Sequence, residues 1–162
     1  MRLIGIAVIL GVVALGSGAV VLSQERSDKM VDITATGPNG LPIIFWRIEQ
    51  DNREAVRALI ASGMDIEIKG FQQATPAVAA ASANAWVTTE LLLGLGADPM
   101  ASDRRGFTLP WLANKAVMPP NSAEGEALAR VKARLDDLDL MDEIYEPTQV
   151  KALRAKGRWP PS

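Results

Sequence analysis

The chain of 162 residues contains no cysteine and no histidine. Those two absences remove the thiolate nucleophile, the Ser-His-Asp triad, the imidazole base, any Cys/His metal site and any disulfide. Catalysis would be left to carboxylates, Lys, Ser or the single Tyr. Neither sign of charge dominates, with 17 Lys and Arg against 19 Asp and Glu, so the strongly basic face that nucleic acid requires is missing. The signatures GxxxxGK[ST], GxGxxG, HExxH and GxSxG do not occur. The length suits one ordinary domain with a short appendage. What is present, 48% hydrophobic and 22% charged residues, leans toward a binding protein that needs no cofactor and is not an enzyme.

Residues Leu3 to Leu22 form a run of twenty without a charge, preceded by Arg2 and followed by the mixed-charge Glu25, Arg26, Asp28 and Lys29. Such a run spans about 30 Å as a helix, the thickness of a bilayer's hydrocarbon core. It reads either as an uncleaved anchor, with the N-terminus cytoplasmic by the positive-inside bias, or as a cleaved signal peptide within residues 1–23. Both place the body of the protein outside the cytoplasm, in a bacterial periplasm. A chain without Cys suits that oxidising compartment, and no Cys follows the run to carry a lipid.

A period of 33 residues runs through the middle of the chain. It superposes Gly63-Met64-Asp65 on Gly96-Ala97-Asp98, and Val56, Leu59 and Ile60 on Thr89, Leu92 and Leu93. Pro42-Ile43-Ile44-Phe45 falls on Thr75-Pro76-Ala77-Val78, and that on Thr108-Leu109-Pro110-Trp111. Gly40, Gln73 and Gly106 share one position. Thr75 can cap a helix opened by Pro76, Gly63 and Gly96 sit where left-handed helix stops are wanted, and the apolar residues between them recur at helical spacing. A helix pair this short cannot bury its face alone, so about three must stack.

In these residues the chain resembles the ankyrin-repeat family. Thr75-Pro76-Ala77-Val78-Ala79-Ala80 stands for the TPLHxA stretch, and Leu91-Leu92-Leu93-Gly94-Leu95-Gly96-Ala97-Asp98-Pro99 for LLLxxGADP. The first repeat has Phe45-Trp46 and Arg47 in altered slots, and the third departs at Met118-Pro119-Pro120-Asn121. The resemblance implies an all-α fold, an ankyrin-repeat solenoid over 37–117, with 24–36 as a linker or N-terminal cap. A helical C-terminal cap over 118–158 follows from Ser122 and the stripe Leu128, Val131, Leu135 and Leu138, then a second helix from Pro147 to Ala155 with Val150 and Leu153 inward. Residues 159–162 are expected to be a disordered tail.

The family binds other proteins on hairpin tips and first helices. Carried over position by position, that surface here comprises Phe71 and Gln72, Arg104, Arg105 and Phe107 at the tips, and Glu49, Gln50, Ser82, Trp111 and Lys115 on the first helices. Aromatic and Arg side chains are the usual interface anchors, although the phenylalanines could fold back on a neighbouring hairpin and the arginines could simply be solvated. Trp46 and Trp111 could face the groove or fill the core. Between Asp136 and Glu146 stand six acids and no base. That stretch reads as a plug for a basic active site, as a calcium site without EF-hand spacing, or as a solvated helix paired with the basic residues 151–158. Resemblance and export signal together imply a periplasmic protein with one protein partner, an immunity protein that blocks a secreted antibacterial effector such as a lipase. The alternative is an envelope scaffold or accessory protein.

Overall fold

The computed structural model describes residues 31–161, so the 3–22 run and its reading as anchor or signal lie outside the described residues. Among the described residues the fold is all-helical: seven α-helices, one short 3-10 turn and two isolated β-bridges. None of these helices is long and apolar enough to cross a membrane. The helices are α1 (Ile43–Glu49), α2 (Arg53–Ala61), α3 (Pro76–Ser82), α4 (Trp86–Gly94), α5 (Leu109–Lys115), α6 (Ala123–Asp136) and α7 (Pro147–Ala155).

The 33-residue period is written in the backbone. In the first unit the Gly37 N–H donates to the Leu41 carbonyl; in the second, Gly70 donates to Ala74; in the third, Asp103 donates to Phe107. Each loop then turns through a residue of positive φ, at Gly40, Gln73 and Gly106. The second unit does this without a glycine, at a strain of about 1 to 2 kcal/mol for an L-residue. Helix starts follow the expected chemistry: Thr75, Thr108 and Ser122 accept from Val78, Trp111 and Gly125 N–H, and Pro76 and Pro110 stand in the first turns. Gly63 and Gly96 end α2 and α4 at φ 95° and 99°.

Within units, α1 packs on α2 and α3 on α4; between units, α1 packs on α3, α3 on α5 and α4 on α6. The shared core is Ile44, Phe45, Val56, Leu59, Val78, Trp86, Leu92, Leu93, Leu109, Val131 and Leu135, each buried. Each large apolar side chain placed there contributes about 1.5 to 3 kcal/mol. Polar links cross the joints as well. Ala85 offers α4 no side-chain cap, and Glu124 of α6 supplies one by accepting from the Val87 N–H at 3.0 Å. Glu67 accepts from the Asp98 N–H at 2.8 Å, and burial raises its carboxyl above the ordinary range.

The C-terminal region departs from expectation in three places. Helix α6 ends at Asp136, so Leu138 falls in the following turn and is 49% exposed instead of extending the buried stripe of Leu128, Val131 and Leu135. The acidic stretch is therefore mostly turn, and its expected pairing with the basic residues beyond is not found: among the described residues its ion pair is Glu146 with Lys115. Nor do its acids gather, among the described residues, into a group that could hold a metal. Finally, the tail from 159 is not loose at its start. The Trp159 indole N–H donates to the Met100 carbonyl at 3.2 Å and its ring meets Tyr145 edge-on. Helix α7 has the expected bounds, with Val150 buried and Leu153 half-buried.

Candidate functional site

The face built from the loops and from α1, α3 and α5 holds a cleft and an aromatic row. The cleft, about 270 Å3, lies between the first two units. Its floor is apolar, from Leu41, Phe45, Ile48, Ala74 and Ala79, and its rim carries Glu49, Phe71, Ser82, Ala83 and Arg105. The floor is so placed because Gly70 lets the second loop lie directly on Phe45: a Cβ there would stand 2.5 Å from the ring. Beside it Phe71 points outward and is 71% exposed. The left-handed Gln72 and Gln73 that follow turn the chain sharply enough to leave it there.

The row starts at Asp103, whose carboxylate is fully buried and accepts from the Arg105 N–H, the Phe107 N–H and the Arg105 Nε. That carboxylate fixes the third loop and aims the Arg105 guanidinium, 4.3 Å above the Phe107 ring centroid. Phe107 in turn stacks on Trp111, centroids 4.6 Å apart and planes 13° from parallel. Each such contact contributes about 0.5 to 1.5 kcal/mol and, more important here, holds a polarised stack rigid at the surface. The Trp111 indole N–H donates to Glu146 Oε2 at 3.0 Å, and Lys115 Nζ lies 3.7 Å from Glu146 Oε1. Thus Phe107 lies between the Arg105 guanidinium and the Trp111 ring, both rings half-buried in the surface row, and Trp46 is half-buried on α1.

The remaining expected positions divide. Glu49 and Ser82 line the cleft, at the ends of α1 and α3. Gln50 is exposed at the end of α1 and accepts from Arg47 at 2.9 Å. Gln72 contributes its backbone: its carbonyl accepts from the Arg104 N–H at 2.7 Å and so ties the second loop to the third. The Arg104 side chain is exposed and, among the described residues, has no carboxylate within ion-pair distance. Sequence reasoning missed Asp103 and Glu146 as organisers of the row, and Phe45 and Ile48 as cleft floor. For Asp103 a signal exists, an acid three residues before a loop glycine; for Glu146, which reaches back 35 residues to Trp111, only the fold supplies it.

Chemically the face offers cations, aromatic rings and an apolar hollow. No family model matches the chain, and no curated protein is similar to it in sequence.

Proposed function

We propose that the chain is an ankyrin-type stack of helix pairs that binds one protein partner, without catalysis, through this face. The observation that carries the reading is Phe71, 71% exposed, at the lip of an apolar cleft and continuous with the Arg105-Phe107-Trp111 row. A single exposed aromatic on a surface is ordinary; one set beside a hollow and a rigid aromatic-cation stack has the composition of an interface centre. The recurrence of one loop hydrogen bond and one positive-φ turn at 33-residue intervals supports the ankyrin-type reading, as do the TPAVAA and GADP stretches.

The partner we infer is an exported antibacterial effector such as a lipase, with the chain acting in the periplasm as its immunity protein by stoichiometric blockade. The uncharged run 3–22 supports export, and the absence of Cys and His, which removes thiol and imidazole chemistry, supports a protein that works by occupying a site. The test is crosslinking and purification of the tagged full chain from its own cells. One hydrolase, bound at a one-to-one ratio and losing its activity at one equivalent, is expected, with capture lost in Phe71→Ala. Several partners, or one partner retained by a Phe71→Ala, Arg105→Glu double variant of native circular dichroism, would overturn the reading.

A further inference from the structure

We propose that Trp111 and Lys115 form a carboxylate-receiving corner of the binding face, which Glu146 fills in the free chain and which an acidic side chain of the protein partner takes in the complex. This rests on the binding-face reading above. The fold itself displays the chemistry of the corner: one carboxylate bridges the Trp111 indole N–H at 3.0 Å and Lys115 Nζ at 3.7 Å. Two donors with a shared acceptor define a site for a carboxylate and for no cation. The ionic part of this hold is weak: the side chains of Lys115 and Glu146 are 54% and 56% exposed, so the ion pair is worth little, and a competing acid has to displace the Trp111 bond and the share Glu146 takes in the capping box of α7.

Charge around the corner points to the same partner chemistry. Arg104, Arg105 and Lys115 all stand on the third unit, whereas Glu49 lies across the cleft on the first. Of the third unit's two acids in contact with those cations, Asp103 is buried under its loop and Glu146 arrives from the segment before α7. Arg104 has no carboxylate among the described residues. A partner that lays an apolar side chain into the cleft beside Phe71 and an Asp or Glu toward Arg104 and Lys115 matches both halves of the face. In this arrangement Glu146 sets specificity: it keeps the corner neutral until a better-placed acid arrives, and without it the uncompensated Lys115 would repel basic segments more strongly.

The experiment is selection of binders from a displayed random-peptide library on the immobilised full chain in detergent micelles. Peptides whose binding needs Phe71 are expected to carry Asp or Glu near an aromatic or aliphatic residue. Their affinity should fall about tenfold in Lys115→Glu and in Arg104→Glu, and rise in Glu146→Ala, where the corner stands open. In the unsubstituted chain the Trp111 indole N–H resonance should move as the peptide displaces Glu146, and circular dichroism should be the same for all variants. Phe71-dependent peptides without an acid, or with affinities unmoved by these variants, overturn the exchange and leave the binding face standing. Selection that yields no Phe71-dependent peptide overturns both.

Discussion

The second and third units begin alike and end differently. Both have the loop hydrogen bond, the positive-φ turn, the threonine cap and a proline in the first helical turn. After the first helix they part. Unit two turns through Asn84 straight into α4, nine residues long, and stops at Gly96; unit three inserts Met118-Pro119-Pro120-Asn121 and then runs α6 for 14 residues. Where the period holds, neighbours along the chain satisfy each other. Where it breaks, the segment after α6 folds back to supply the partners: Arg154 donates to the Asp103 carbonyl, Trp159 to Met100, and Glu146 accepts from Trp111. A repeat is thus cheap to specify and its termination is not, because the last unit has no successor to cover it.

The largest test of this contrast is Leu92→Ala. Leu92 is fully buried in α4, which packs on α3 and α6, so the change should cost about 2 to 5 kcal/mol. If units two and three are one cooperative body, thermal unfolding should remain a single transition at lower temperature; two separated transitions would show that the C-terminal segment stands independently. Next comes Gly106→Ala, aimed at the break itself. Gly106 has φ 91° and a Cβ there would collide with the Pro147 carbonyl. Strain of this kind costs about 1 to 3 kcal/mol, and it should loosen Trp159 more than the core. Fluorescence of a chain retaining Trp159 as its only tryptophan should change while far-ultraviolet circular dichroism holds; the reverse pattern would place the weak point elsewhere.

Smaller effects separate the units further. Thr88 of α4 is fully buried and its hydroxyl has no hydrogen-bond partner, so Thr88→Val should stabilise by about 1 kcal/mol in denaturant titration. A loss instead would mean that the hydroxyl is satisfied. The smallest effect is at Glu67. Burial raises its carboxyl above 4.5, so the folded state favours the protonated form and stability is lost as pH rises through the folded pKa. Glu67→Gln should therefore raise Tm more at pH 7 than at pH 4. An equal shift at both values would remove burial as the cause.

Much of this architecture was legible because its signals are local. Thr75 before Pro76, Ser122 before its acidic turn, and Gly63 and Gly96 after apolar stretches each act within one helical turn, and the structure uses them that way. The site was legible by position and illegible by contact. Phe71, Arg105, Phe107 and Trp111 lie on one face, yet that Arg105 would stack on Phe107, and Phe107 on Trp111, depends on Asp103 being buried beneath them. Leu138 misled because helical spacing continued past the point where α6 stops; Asp137 closes the helix and the Asp139 turn takes φ to 57°. Pairing of the acidic stretch with the basic tail failed for a similar reason, since charge order along a chain says nothing of where a turn sends it.

The single backbone bond from Arg104 to Gln72 has a mechanical meaning. It rivets the second loop to the third, while among the described residues no backbone bond joins the first loop to the second. At that seam the Phe45 ring lies against bare Gly70. The second loop is therefore bound to the third through the main chain and to the first through side-chain packing, and the hollow beside Phe71 lies at that packed seam.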